Sequence, residues 1–399
     1  MRSRSPLIII GVVILLLAAV AGLFWVNYQY SANERGGNDF AVYWNSARTV
    51  LFDGATPYGE LASLRSQFTI YGIADKQDAP PFKLDLPFHI ETLLLPLALF
   101  KEFQIARAFW MTLLEVALVV TVFLMLRVLR WIPDNVVGGS IIIFSIFIVY
   151  GLWAIIQGNA IILIGLFISG ALLALRDEHD EVAGILLGLA TFKFLSTGFF
   201  LIFILLWALF RGRKRIFLPF IMTFLILLLV SFFFYPNWFT PYARAIFANL
   251  KYGNWLSPAV IFQQEFPFIG ERLGWAVSIL FGVILLVEWW LVRRKEFSRM
   301  IWTGALTLSI TPLLGIPTYP QNYIVLIIPL VVSLSIVSDR WKASQIYLIP
   351  GLLFVLFLVF WGITIFSTDA KTALFFPFPL LVVILLYWVR WWVVSGPRG

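Results

Sequence analysis

Cysteine is absent from the 399 residues. That excludes a thiol nucleophile, a thiolate-bound metal and a structural disulfide. Charge is scarce as well. Asp, Glu, Lys and Arg make up 13% of the chain, about half the share of a soluble globular domain. Histidine occurs twice, as His89 and His179. No His–Glu spacing of a zinc site is present, so no metal is expected. P-loop and dinucleotide fingerprints are also missing, which argues against an ATP-driven pump within this chain. No cofactor is expected.

Apolar sequence is abundant. Hydrophobic residues make up 61%, and the mean hydropathy is +0.92. They stand in long runs, not alternations, so a β-barrel does not fit. The composition is that of an all-α polytopic membrane protein. The first run, Leu7 to Val26, follows Arg2 and Arg4 and reads as an uncleaved signal anchor, although Ala19-Val20-Ala21 resembles a signal-peptidase site. Further spans are expected at about 105–128, 136–156, 159–176, 182–193, 195–210, 216–235, 273–293, 299–316, 322–338, 345–366 and 373–394. The total is about twelve. The pair flanking Lys193 is short and reads as a broken span turning at one face.

The net charge is +8. Under this topology the short loops holding Arg127, Arg130, Arg176, Arg211–Arg215, Arg293–Arg299, Arg340, Lys342 and Arg390 share one side. The positive-inside rule makes that side cytoplasmic, with both termini there and a cell-membrane location. Two long segments, 27–104 and 236–272, then lie outside. Leu86 to Phe100 is apolar, but counting it as a span breaks the charge parity. It reads as an interfacial or re-entrant helix.

The first outer loop opens Gly36-Gly37-Asn38-Asp39. Asn38 or Asp39 there suits a helix cap. Phe40, Tyr43, Trp44, Ala47 and Leu51 then form one apolar face, as on a helix lying in the membrane interface. Asp53-Gly54 ends it and Pro57-Tyr58-Gly59 turns the chain. Asp39 is either a general base or a cap. Lys193 stands deep in an apolar stretch, at a cost of roughly 2.5–3.5 kcal/mol on insertion scales. It either binds a phosphate or snorkels to the outer interface. Glu115 and Glu288 lie within spans and suit pairing with neighbouring helices. Trp44, Trp238 and Trp255 read as outer interface anchors. Trp289, Trp290, Trp388, Trp391 and Trp392 read as cytoplasmic ones.

Several segments, in order, resemble one family. They are Asn38-Asp39-Phe40-Ala41-Val42-Tyr43-Trp44-Asn45-Ser46-Ala47 with Gly54-x-x-Pro57-Tyr58; Pro87-Phe88 with Pro96-Leu97-Ala98; Gln157-Gly158-Asn159; and the glycine-rich run Ala183 to Ala190 ending in Lys193. Weaker echoes are Gly253-Asn254 with Ser257, and Thr311-Pro312 through Asn322-Tyr323. The set looks like glycosyltransferase family 87, the polyprenyl-phosphate-dependent mannosyl- and arabinosyltransferase-like group of the GT-C fold. The chain departs from that pattern at Asp85-Leu86-Pro87, where Tyr-Pro-Pro is usual, and at Asn159, where Gln is usual. It also lacks a His near Tyr319 to Tyr323.

The resemblance implies a GT-C-like bundle with interfacial helices in its first outer loop. It implies transfer of a mannose-like hexose from a polyprenyl-phosphate donor to a lipid or glycan acceptor, with inversion, on the outer face. Asp39 is then the base. Lys193, Asn159 and Arg48 are candidates for the donor phosphate, and Tyr43, Trp44, Asn322 and Tyr319 for substrate contacts. Residues 1–235 are expected to form the catalytic module and 236–399 a C-terminal transmembrane module. The membrane is a partner and nucleic acid is not. A lipid-linked sugar flippase and an arabinofuranosyltransferase of the same fold are the alternatives.

Overall fold

The computed structural model describes residues 6–73, 82–252 and 255–394. Arg2, Arg4 and Gly253-Asn254 lie outside them. The chain runs through α1 (Pro6–Asn33), α2 (Asn38–Asp53), α3 (Glu60–Tyr71), α4 (Phe88–Glu91) and α5 (Phe103–Val128). It continues through α6 (Asn135–Phe147), α7 (Val149–Gln157), α8 (Ile161–Arg176), α9 (Asp180–Leu189), α10 (Phe194–Phe210) and α11 (Phe217–Phe234). Then come α12 (Phe239–Tyr252), α13 (Pro258–Glu265), α14 (Gly270–Val292) and α15 (Phe297–Ile310). The last are α16 (Ile327–Arg340), α17 (Gln345–Phe366), α18 (Ala370–Ala373) and α19 (Pro377–Val394). Short 3-10 turns join several of them. The only pairing of extended backbone among the described residues is the bridge between Leu256 and Thr318.

Helix occupies each of the twelve expected span positions. By length and hydropathy, eight stretches among the described residues suffice to cross a membrane, or nine if the pair α6–α7, bent by 54°, counts as one. The difference from twelve lies in short elements. α8 has 16 residues and α15 has 14, below the ~20 that a ~30 Å core requires of a straight helix. The third element is Asp180–Phe210, which scores as one 31-residue stretch. It is nevertheless folded back on itself. A straight helix of that length would place its ends about 45 Å apart. Yet Arg213, just past the far end, donates from Nε to Asp180 at 2.9 Å and forms an ion pair with it through Nη2. The fold-back occurs at the 3-10 turn Ala190–Lys193. This is the broken pair expected around Lys193.

Two compact units partition the chain. The first comprises residues 1–116, 155–158 and 231–245, and the second 117–154, 159–230 and 246–399. The expected boundary at 235/236 falls within the 231–245 segment.

In the first unit, α1 is largely exposed, with only 6% of its apolar window buried. Its C-terminal end is tied down by Asn27, whose Nδ2 donates to Thr112 at 3.0 Å and to Glu115 at 2.8 Å. Glu115 is thus paired with a neighbouring helix, as expected. Leu86 to Phe100 contains no spanning helix. It folds as α4 and a 3-10 turn at Leu95–Leu99, and Leu95 and Ala98 pack on Ala47 of α2.

In the second unit the Pro320–Arg340 stretch is the most enclosed, 94% buried, so its polar residues face protein. Glu288 binds Arg390 at 2.8 Å, again a helix-to-helix pair. The basic loops gather at one end. Arg176 donates to the Val128 carbonyl, Arg213 to that of Leu175, and Arg211 to that of Arg294. Arg340 lies over the Trp392 ring. The charge parity read from sequence therefore holds as a common end of the unit.

α9 lies close against α11 and the turn before it because Gly184 and Gly188 form a small-xxx-small stripe. A Cβ on Gly184 would stand 2.3 Å from the Ile216 carbonyl oxygen, and one on Gly188 would stand 2.9 Å from Thr223 Cβ. Gly184→Ala is expected to cost about 1–3 kcal/mol through overpacking. Thermal unfolding in detergent reads this directly, and an unchanged Tm would refute the contact.

Candidate functional site

Asp39 is set by the turn before it. Gly37 adopts φ +76°, in the left-handed region where a side chain is strained. Arg107 lies directly beneath. A Cβ on Gly37 would meet Arg107 Nε at 2.7 Å. The Arg107 side chain is 1% exposed, donates to the Glu34 carbonyl at 2.7 Å and to that of Ile156 at 3.3 Å, and lies over the Tyr30 ring. Gly37 is the N-cap of α2, and no side chain caps the helix. This corrects the expectation of a cap at Asn38 or Asp39. The helix begins one residue earlier because the Gly-Gly turn and the guanidinium fix its start. Asp39 then stands in the first turn, half-buried, with Oδ2 shielded from solvent.

The helix is enclosed by protein on more than its apolar face. Phe40, Ala41, Tyr43, Trp44 and Ala47 are buried, and so are Asn45, Ser46 and Thr49 around the rest of the cylinder. Phe40 stacks on Trp110 with ring centroids 5.7 Å apart. Gly158, at φ +74°, fits beneath the pair, since a Cβ there would stand 2.5 Å from Phe40 Cβ. Trp110 Nε1 donates to the Gly158 carbonyl at 2.8 Å. Trp44 and Trp238, expected as interface anchors, are 8% and 3% exposed, Trp44 against Phe103 and Trp238 against His89 and Tyr242.

Helical geometry sorts the expected residues on α2. Tyr43 is four positions from Asp39 and shares its face. Trp44, Arg48 and Phe52 lie about 140°, 180° and 220° round the helix from Asp39. They line a cleft of about 900 Å³ together with Arg35, Arg65 and Phe68. Arg48 Nη1 donates to the carbonyls of Ala98 at 2.9 Å and Phe100 at 3.2 Å, and the guanidinium lies over Trp44 at 4.7 Å. Arg65 donates to both oxygens of Asp53, which holds that carboxyl below the usual range. The cleft thus backs onto the face of α2 away from Asp39.

A second buried group lies at α4. Glu91 is 0% exposed and neither carboxyl oxygen has a hydrogen-bond partner. Burial, with the Asp85 carboxylate nearby, pushes its pKa well up. Burial lowers that of His89, beside Trp238, to about 4. Tyr58 and Tyr242 complete the cluster, with Tyr58 donating to the Leu86 carbonyl at 2.8 Å.

The two shifts act on stability with opposite sign. Folded His89 binds fewer protons than the unfolded chain between pH about 4 and 6.5, so its contribution rises with pH there. Folded Glu91 keeps its proton above the ordinary 4.5, so its contribution falls as pH rises. Above the histidine range, where His89 is neutral in both states, Glu91 is the one of the two that still acts. Stability is then expected to fall as pH rises, by at most about 1.4 kcal/mol per pH unit, while the folded carboxyl keeps its proton. Unfolding scans from pH 6.5 to 8.5 test this, and Glu91→Gln should remove the slope.

The other candidates lie in the second unit. Asn159, 1% exposed, donates from Nδ2 to Asn322 Oδ1 at 2.9 Å and accepts from the Ile161 amide at 3.0 Å. Asn322 also donates to Thr318 Oγ1 at 3.4 Å, and its amide nitrogen donates to the Tyr319 carbonyl at 2.9 Å. Asn322 and Thr318 face a narrow crevice that Leu195 and Ser196 of α10 also line. Lys193 is the N-cap residue of α10, half-buried, two positions before Leu195. Asn159, Asn322 and Tyr319 are therefore brought together, and Lys193 stands at the turn without itself lining the crevice. Asn322→Ala would leave Asn159 Nδ2 buried without its acceptor, at about 1–3 kcal/mol. Asn159→Ala/Asn322→Ala should cost less than the sum of the singles in a double-mutant cycle.

Arg107 and Glu91 were not singled out from sequence. Arg107 had a signal, a lone arginine just inside an apolar span. Glu91 had a weaker one, a carboxylate in an apolar segment that is not a span.

No curated protein matches the chain. The model of glycosyltransferase family 87 matches residues 87–317, more than half of it. That stretch contains Arg107, Asn159 and Lys193 and begins after the Asp39 turn. Together with the all-helical, multispan architecture, the match shows that the chain belongs to glycosyltransferase family 87.

Proposed function

We propose that this membrane glycosyltransferase moves a mannose-like hexose from a polyprenyl-phosphate donor to a lipid or glycan acceptor on the extracytoplasmic face of the cell membrane. The observation that carries the reading is the placement of Asp39. A buried arginine and a Gly-Gly turn fix the carboxylate in the first turn of a buried helix, one turn from Tyr43 on the same face. A lipid-linked donor also accords with a chain that has no nucleotide motif, since the carrier brings the activated sugar without a nucleotide.

In the proposed reaction Asp39 accepts the proton of an acceptor hydroxyl. The hydroxyl oxygen bonds to the anomeric carbon as the bond from that carbon to the phosphate oxygen breaks. The sugar inverts, and the polyprenyl phosphate leaves with the electron pair as an anion. Lys193 and the Asn159–Asn322 pair supply donors to that charge. Tyr43, on the Asp39 face, and Tyr319 contact the sugar or the acceptor. Arg48 and Trp44 are given no part, because they lie on the other side of α2. Incubating purified protein in proteoliposomes with a labelled polyprenyl-phosphate hexose and a lipid acceptor tests the proposal. Label in the acceptor supports it. Movement of the carrier across the bilayer without transfer would favour a flippase.

A further inference from the structure

At the basic end of the second unit a groove of about 740 Å³ opens between helix ends. Arg211, Arg294, Lys295 and Arg299 line it against a single carboxylate, Glu296. Its inner wall is apolar, formed by Trp302, Val332, Ile336 and Trp392. The linker between α14 and α15 is held in place by backbone contacts. Trp207 Nε1 donates to the Lys295 carbonyl at 3.1 Å and Arg211 to that of Arg294 at 3.4 Å.

Elsewhere at this end, cations have carboxylate partners: Arg213 has Asp180 and Arg390 has Glu288. Arg211, Arg294 and Lys295 form no ion pair with a carboxylate among the described residues. Three uncompensated cations on the rim of an apolar wall describe an amphipathic ligand with an anionic head. Trp392 meets Trp341 and Trp388 edge-on, with ring centroids 5.4 Å from each, giving the aromatic surround usual at a membrane interface.

We propose that this groove is a binding site for an anionic phospholipid. The phosphate lies among Arg211, Arg294, Lys295 and Arg299, and an acyl chain lies along Trp302, Ile336 and Trp392. Basic pockets between transmembrane helices suit such headgroups, and each cation near the surface contributes about fivefold to retention. Free phosphate shares the head chemistry but leaves the apolar wall unused, so a lipid is the occupant. The bound lipid joins the ends of α5, α10, α15, α16 and α19, all of which contribute to the groove or its edge.

The test uses the full-length protein in nanodiscs of phosphatidylcholine alone or with phosphatidylglycerol added. Native mass spectrometry after transfer to detergent counts retained lipid, and Tm is measured alongside. Selective retention of phosphatidylglycerol with a raised Tm is expected. Arg294→Gln and Lys295→Gln, both at exposed positions, should each weaken retention about fivefold. Arg130→Gln, at the same end but outside the groove, should not. Equal retention of both lipids would overturn the proposal. So would an equal loss in Arg130→Gln, or inorganic phosphate at millimolar concentration raising Tm as much as the lipid does.

Discussion

Asp39→Asn is expected to lower turnover about 10³-fold while leaving the fold intact. The magnitude is that of a positioned general base, 10² to 10⁴. Asparagine keeps the shape and loses the basicity. The structural cost is small, because the amide keeps an oxygen acceptor in the same place and the N-cap position belongs to Gly37. What is lost is the favourable interaction of a carboxylate with a helix N-terminus, about 0.3–1 kcal/mol. Activity and stability therefore separate. Asn38→Ala, one position earlier in the same turn, serves as the matched control and should retain transfer. A well-folded Asp39→Asn protein with wild-type turnover would remove the base from the mechanism.

Arg107 gives that prediction a structural companion. It holds the turn through the carbonyls of Glu34 and Ile156, so its loss should disturb Asp39 indirectly and lower stability as well. The two variants are thus distinguishable by Tm. This part of the site was half legible in the sequence. The apolar periodicity of Phe40, Tyr43, Trp44 and Ala47 gave the helix and its end at Gly54, and both are found. The same pattern suggested one apolar face and one solvent face, and the helix is instead enclosed on most sides. Asn45, Ser46 and Thr49, which look like a solvent face, are buried, with Asn45 and Ser46 donating to carbonyls of Ala41 and Pro57. Periodicity reports which side chains are apolar. It does not report how many neighbours a later segment will bring.

The membrane-spanning part was more legible, because the bilayer leaves the backbone few choices. Helix is found wherever an apolar run was marked, and the basic loops share one end. Span counting was less certain. Sequence length alone cannot distinguish a long straight helix from a hairpin. The Asp180–Arg213 ion pair settles that case, and it joins residues 33 positions apart. Pairing between distant residues also explains why Asn159 and Asn322, separated by 163 positions, were separate candidates in the sequence and one hydrogen-bonded unit in the structure.

Lys193 stands where the hairpin turns. Its neighbours Phe192 and Phe194 are apolar, and Phe192 packs near Phe167 at 6.2 Å. Lys193 is only half-buried at the turn, away from the helix centre where a cation costs most. Lys193→Met removes the charge and keeps the unbranched stem. Turnover should fall about 10² to 10³-fold, the usual consequence of losing one donor to a developing anion in a shielded site. Lys193→Arg restores the charge in a wider head and should recover part of the rate. That recovery is the discriminating half of the prediction. A lysine kept for its charge is partly replaced by arginine and not by methionine. Equal loss of turnover in both variants, with Tm falling alongside in the same detergent, would assign Lys193 to the fold and leave the phosphate to Asn159 and Asn322.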